Sequence, residues 1–242
     1  MATSTVYYSS QGRVGKTAGG TPEDTWNTLR GTNTTVGSSV ASTGGNENFS
    51  AKMEAARGGS VLTSNKRAYF YFDLADVGTT ITGITLKVLG GTNLFNQNGD
   101  WIVARANQDN DFGTIATSDY ALVFNSSTSM TSYSSNQSSW SANSVNSVAL
   151  NSTAVSNANS EGELCVCLLN YTYDYDNGEV EESFGNLENS LSFPNSGTNR
   201  ANLVVTHADP GYGNAVNGVA ATSIGSVNEV LTANISQINS VS

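Results

Sequence analysis

Histidine occurs once in the 242 residues and cysteine twice, too few to build a zinc site from these residue types. His207, Cys165 and Cys167 are the whole supply, and Cys-x-Cys is not the usual zinc spacing. On a strand the two thiols point to one face, where a disulfide between them would be strained, so they read as buried thiols. Charge is also scarce, at 12% of the chain. Windows rich in Ala, Glu, Lys and Leu are missing, which argues against a helical protein. No apolar run approaches the roughly 18 residues of a membrane-spanning helix, so no membrane partner is expected. The opening Met1-Ala2-Thr3-Ser4-Thr5-Val6-Tyr7-Tyr8 lacks a basic region leading into an apolar run, and a classical signal peptide is not expected.

Catalytic constellations are missing as well. Gly12-Arg13-Val14-Gly15-Lys16-Thr17 ends like a phosphate-binding loop, but the position of the motif's first glycine is Ser10. His207 lies at the end of an apolar stretch and reads as a hydrogen-bonded strand-end histidine rather than a catalytic base. The expectation is a protein that is not an enzyme and needs no cofactor.

What the chain has in quantity is Gly, Ser, Thr and Asn, the composition of short strands joined by turns. Acidic residues exceed basic ones by 20 to 10, a net charge of −10. A nucleic-acid backbone would be repelled by such a surface, so no nucleic-acid partner is expected; the acidity reads as a solubility device.

In Ala68-Tyr69-Phe70-Tyr71-Phe72-Asp73, strand alternation puts Ala68, Phe70 and Phe72 on one face and Tyr69, Tyr71 and Asp73 on the other. A second alternating strand runs from Ile81 to Leu89. Further strands are predicted at Val6–Tyr8, Trp101–Ala106, Tyr120–Phe124, Val145–Leu150, Glu163–Leu169 and Asn202–His207. Leu164 to Leu169 is apolar on both faces and should be a central, doubly covered strand. Residues 1–59 read as one strand followed by long connections, and residues 125–160 as polar surface loops anchored by Met130, Tyr133 and Trp140. Antiparallel strands without intervening helices predict an all-β, two-sheet sandwich of jelly-roll type, a Greek-key sandwich being the second choice.

Two segments carry candidate binding residues. In the acidic stretch 174–182, Asp174, Asp176 and Glu179 are weak calcium ligands on what reads as a hairpin tip between Leu169 and Phe184; the glycine of the stretch sits one position early for a calcium loop. Tyr171, Tyr173 and Tyr175 alternate, so on a strand they would line one face. With Trp140 they are the candidate platform for a sugar ring.

After Pro210 the character changes. Val216-Asn217-Gly218-Val219, Val227-Asn228-Glu229-Val230 and Ile238-Asn239-Ser240-Val241 start at intervals of eleven residues, with Ile224 and Ile235 also in register. The expected organisation is a sandwich domain over residues 1–208 and a repetitive arm over 209–242. Val216, Val219, Ile224, Val227, Val230, Ile235, Ile238 and Val241 are the candidate partner-docking residues of that arm. Each left wet would forgo about 1.5–3 kcal/mol.

Two resemblances follow from these residues. Arg67-Ala68-Tyr69-Phe70-Tyr71-Phe72-Asp73-Leu74, followed by Thr80 to Val88, resembles the DNRLRE-type, carbohydrate-binding-module-like β-sandwiches. The family's naming motif is absent, so no ligand-binding residues carry over. The tail resembles the "VNGV/INGV" tails of structural proteins of marine tailed bacteriophages. Together they imply a virion structural protein, such as a capsid decoration, head-fibre or tail-associated component, anchored or oligomerised through its termini. The implied partners are other virion proteins and further copies of the chain, with assembly in the host cytoplasm. The alternative is a carbohydrate-binding adhesin domain that takes a cell-surface glycan.

Overall fold

A computed structural model describes residues 1–20, 22–41, 46–55, 61–77, 80–91, 93–95, 100–107, 115–178, 186–194, 199–208, 226–227 and 230–231. In chain order the regular elements are β1 (Ala2–Tyr7), β2 (Ser10–Gly20), α1 (Pro22–Arg30), β3 (Ser39–Ala41), β4 (Asn46–Ala55), β5 (Val61–Asp73), β6 (Ile81–Leu89) and β7 (Asn93–Phe95). They continue with β8 (Trp101–Arg105), β9 (Val145–Ala149), α2 (Ser152–Glu161), β10 (Glu163–Asn170), β11 (Asn186–Pro194), β12 (Asn202–His207), β13 (Ser226–Val227) and β14 (Val230–Leu231).

The protein is an all-β sandwich of two antiparallel sheets. One has the order β1-β12-β6-β9. The other is built on β5, whose length lets it fork. Along one edge it pairs with β2, and along the other its first half pairs with β4 and its second half with β10. β10 continues to β8, and segment 130–137 adds isolated bridges to β8 at Trp101↔Gln137 and Ala104↔Ser132. β4 continues to β11 and β7, and β2 to β3.

The alternation predicted for β5 decides the packing. Ala68, Phe70 and Phe72 lie in the core between the sheets, with Ile84, Leu86, Leu203 and Val205 from the facing sheet and Leu164, Val166 and Leu168 from β10. Tyr69 and Tyr71 point the other way, into a second apolar cluster with Val14, Ile102, Tyr120, Phe124, Cys165 and Cys167. The part of the larger sheet formed by β5, β10 and β8 is thus covered on both faces, which explains why Leu164–Leu169 is an unbroken apolar run. Each fully buried aliphatic or aromatic side chain here stabilises by about 1.5–3 kcal/mol.

Several sequence expectations need correction. Residues 1–59 are not one strand and long connections: they hold β1 to β4 and α1. α1 opens on Pro22, a start favoured because proline lacks the N–H that the first helical turn would leave unpaired and its φ suits the helix. The strand expected at Tyr120–Phe124 is instead a short 3-10 helix, Thr117–Ala121, and a turn. The strand expected at Val145–Leu150 is present as β9, but the segment read as polar loops also holds α2. α2 is weakly apolar but well capped: the Asn151 side chain accepts from the Ala154 N–H at 3.1 Å, and Gly162 ends it at φ 70°. Its Ala154 and Ala158 are buried in the inter-sheet core.

Of the arm, the described residues are Ser226–Val227 and Val230–Leu231, a short antiparallel pair with Val227 opposite Val230. Val216, Val219, Ile224, Ile235, Ile238 and Val241 lie outside the described residues, as does Glu179.

Candidate functional site

The densest polar chemistry lies on the outer face of the larger sheet, under α1. Arg67 shares a face of β5 with Tyr69 and is fully buried. Its Nε donates to Asp174 Oδ2 at 2.8 Å and its Nη2 to Asp174 Oδ1 at 2.6 Å, a two-pronged ion pair. Nη1 donates to the Tyr120 carbonyl at 2.7 Å and Nη2 also to the Arg30 carbonyl at 2.9 Å. The guanidinium lies over the rings of Tyr120, at 4.1 Å, and Phe124, at 4.9 Å. Burial, the largest single influence, would lower the Arg67 pKa, but the attraction and hydrogen bonding of Asp174 together with Tyr120 and Tyr69 outweigh it, and the group is held well above its usual value.

Asp174 is carried by a single π-helical turn, Tyr171–Tyr175, that follows β10. Asn170 caps the turn by accepting from the Tyr173 N–H at 2.8 Å, and Asp176 N–H closes it on the Tyr171 carbonyl at 2.8 Å. The Thr172 hydroxyl donates to the Asp100 carboxylate, 2.8 Å from Oδ2. From above, Arg30 donates through Nε to the Asp174 carbonyl at 2.6 Å, and Trp26 Nε1 donates to the Tyr173 carbonyl at 3.1 Å. Burial lowers the Arg30 pKa. Asn65 donates to the Tyr120 hydroxyl at 3.0 Å, and that hydroxyl donates to the Leu29 carbonyl.

No protein-family model matches the chain, and no curated protein matches it. Its chemistry must therefore be read from the geometry. The Arg67–Asp174 pair is buried, both carboxylate oxygens are engaged by the guanidinium, and Arg30, Trp26 and the Tyr120 hydroxyl donate to main-chain carbonyls around it. Such a network locks α1, the 3-10 helix and the π-turn onto the sheet.

This geometry corrects the candidate sites. Segment 171–175 is not a strand, so Tyr171, Tyr173 and Tyr175 do not line one face. Tyr173 is buried under Trp26, while Tyr171 and Tyr175 stack on each other at 5.7 Å. Trp140 is buried in the inter-sheet core, edge-on to Trp101 at 5.2 Å and to Phe49 at 6.1 Å. These four rings do not form a sugar platform. Asp174 is consumed by Arg67 and cannot serve calcium, while Asp176 is exposed after the turn. Among the described residues no three His, Cys, Asp or Glu gather as a metal site.

The two thiols do share a buried face. Burial pushes both thiol pKa values up, as it does those of Tyr69 and Tyr120. His207 ends β12 with Nε2 3.0 Å from the Ser4 hydroxyl and Nδ1 2.8 Å from the Ala208 carbonyl. The P-loop-like residues 12–17 lie within β2 and have no helix N-terminus to cradle phosphate. No described helix is long and apolar enough to cross a membrane.

Sequence reasoning missed Arg67, Arg30, Asn65 and Tyr120. The available signal was Arg67 itself, a cation on the same strand face as Tyr69 and Tyr71: a charge there must find a buried partner.

Proposed function

We propose that this chain is a non-enzymatic structural component of a virus particle, of the tailed-bacteriophage kind, that displays a jelly-roll sandwich and is anchored or oligomerised through its termini. The observation carrying this reading is strand order. Taken in chain order, β1, β5, β6, β8, segment 130–137, β9, β10 and β12 pair as first-eighth-third-sixth in one layer and second-seventh-fourth-fifth in the other. With β2, β3, β4, β7 and β11 set aside as additions to the larger sheet, this order supports the jelly-roll reading, an architecture used by viral capsid and lectin domains. The inference from fold to role is an analogy, supported by the phage-like tail and by buried ionisable groups committed to holding elements together.

The adhesin alternative loses the platform that suggested it, because Trp140 and Tyr173 are inside the protein. Quantitative mass spectrometry of purified particles tests the proposal. A fixed ratio of this chain to the major shell protein is expected. Its absence from particles, or a ratio that varies between preparations, would refute the reading.

A further inference from the structure

The strands of the four-stranded sheet are free of acidic residues: the chain has 20, yet β1, β6, β9 and β12 contain none. The registers Tyr7↔Asn202, Asn202↔Lys87 and Lys87↔Ser147 align four side chains in one row across the sheet. Leu203, Leu86 and Val148, their neighbours along the strands, are buried in the core, so the row faces outward.

Arg200, two residues before Asn202, lays its guanidinium 4.9 Å from the Tyr7 ring centre and 5.7 Å from that of Tyr8, which pre-orders it at the end of the row. Lys87 and Arg200 line a shallow recess together with Leu89, Val145, Asn199 and Asn202. Neither cation is in an ion pair among the described residues.

We propose that this recess is an oxyanion-binding site, taking the sulfate or carboxylate group of an acidic polysaccharide or the same group free in solution. The Arg200 fork and the Lys87 ammonium supply charge-assisted hydrogen bonds to the anion. Adjacent strands lie about 4.8 Å apart, so Lys87 and Tyr7, two strands apart, are separated by about 10 Å, with Asn202 between them. The Asn199 and Asn202 amides and the half-exposed Tyr7 ring suit the hydroxyls and flat face of a sugar beside that group. The net charge of −10 opposes polyanions on average, so the proposed binding rests on the local cations Lys87 and Arg200. The site is independent of whether the chain belongs to a particle.

Calorimetric titration of the full chain with a sulfated glucan, the same glucan unsulfated, and inorganic sulfate tests it. The sulfated chain should bind and the unsulfated chain should not. Lys87→Gln and Arg200→Gln should each weaken binding about tenfold or more, the loss of one charge-assisted hydrogen bond. Arg200→Lys should fall between. Arg105→Gln, which removes a cation paired with Glu161 elsewhere, should leave affinity unchanged. Sulfate binding alone, lost in the same two variants, would support the site and assign it to the free anion. No binding by any anion, equal binding of the neutral glucan, or full affinity in a folded K87Q/R200Q double variant would overturn it.

Discussion

Replacing Asp174 with asparagine keeps the shape of the π-turn but strips Arg67 of its counter-ion. Arg67 is fully buried, so its charge cannot be repaid by water, and one of its prongs would then meet an amide that donates rather than accepts. Breaking a buried pair from one side costs about 3–5 kcal/mol. In a chain of this size, about 2–4 °C of melting temperature goes with each kcal/mol, so D174N should melt about 6–20 °C lower by calorimetry. A cycle with Arg67→Met isolates the pair. In the D174N background, removing the stranded guanidinium should cost at least about 1 kcal/mol less than in the parent, since the two groups touch. A D174N protein within about 1 kcal/mol of the parent, or strictly additive changes, would refute the view that this ion pair clamps the outer layer to the sheet.

Trp140→Ala should cost about 3–5 kcal/mol in urea unfolding, because the ring fills the core against Trp101 and Phe49. A loss below about 1 kcal/mol would show that the ring is not packed there. Gly31 and Gly162 both have left-handed φ, at 68° and 70°, but an added Cβ at Gly31 would fall inside the Thr35 side chain while one at Gly162 meets nothing within 4 Å. Gly162→Ala should therefore cost about 1 kcal/mol of backbone strain and Gly31→Ala clearly more; equal costs would contradict the steric argument. The raised pKa values of Cys165, Cys167, Tyr69 and Tyr120 carry a sign. The unfolded chain releases these protons first, so their contribution is full below about pH 8.5 and falls as pH rises above it, by up to about 1.4 kcal/mol per unit per group. Denaturant melts from pH 7 to 11 measure this, and flat stability across that range would contradict the burial of these groups.

The central strands were legible because their alternation is strong. Phe70 and Phe72 against Tyr69 and Tyr71 told both which face was which and that each had to be covered. α2 was hidden because Ser-Thr-Ala-Val-Ser-Asn-Ala-Asn-Ser-Glu has little apolar periodicity; its caps and two alanines suffice once β6 and β10 supply a surface. α1 was overlooked although Pro22-Glu23-Asp24 is a recognisable start. The tyrosine alternation misled for a definite reason. A period of two describes a strand only if the backbone stays extended, and Asn170 caps a turn there instead. Arg67, Asp174 and Arg30 are far apart in sequence, and without the fold nothing joins them. The outward row at Tyr7, Asn202 and Lys87 was equally invisible, because it exists only through strand register.

Cryo-microscopy of purified particles bears most directly on the proposed role. Density at a repeated position that fits the two layers, β1-β12-β6-β9 against β5-β10-β8, with the chain's end leading into a neighbouring subunit, is the predicted result. Particles lacking such density, together with catalytic turnover by the purified chain, would contradict it.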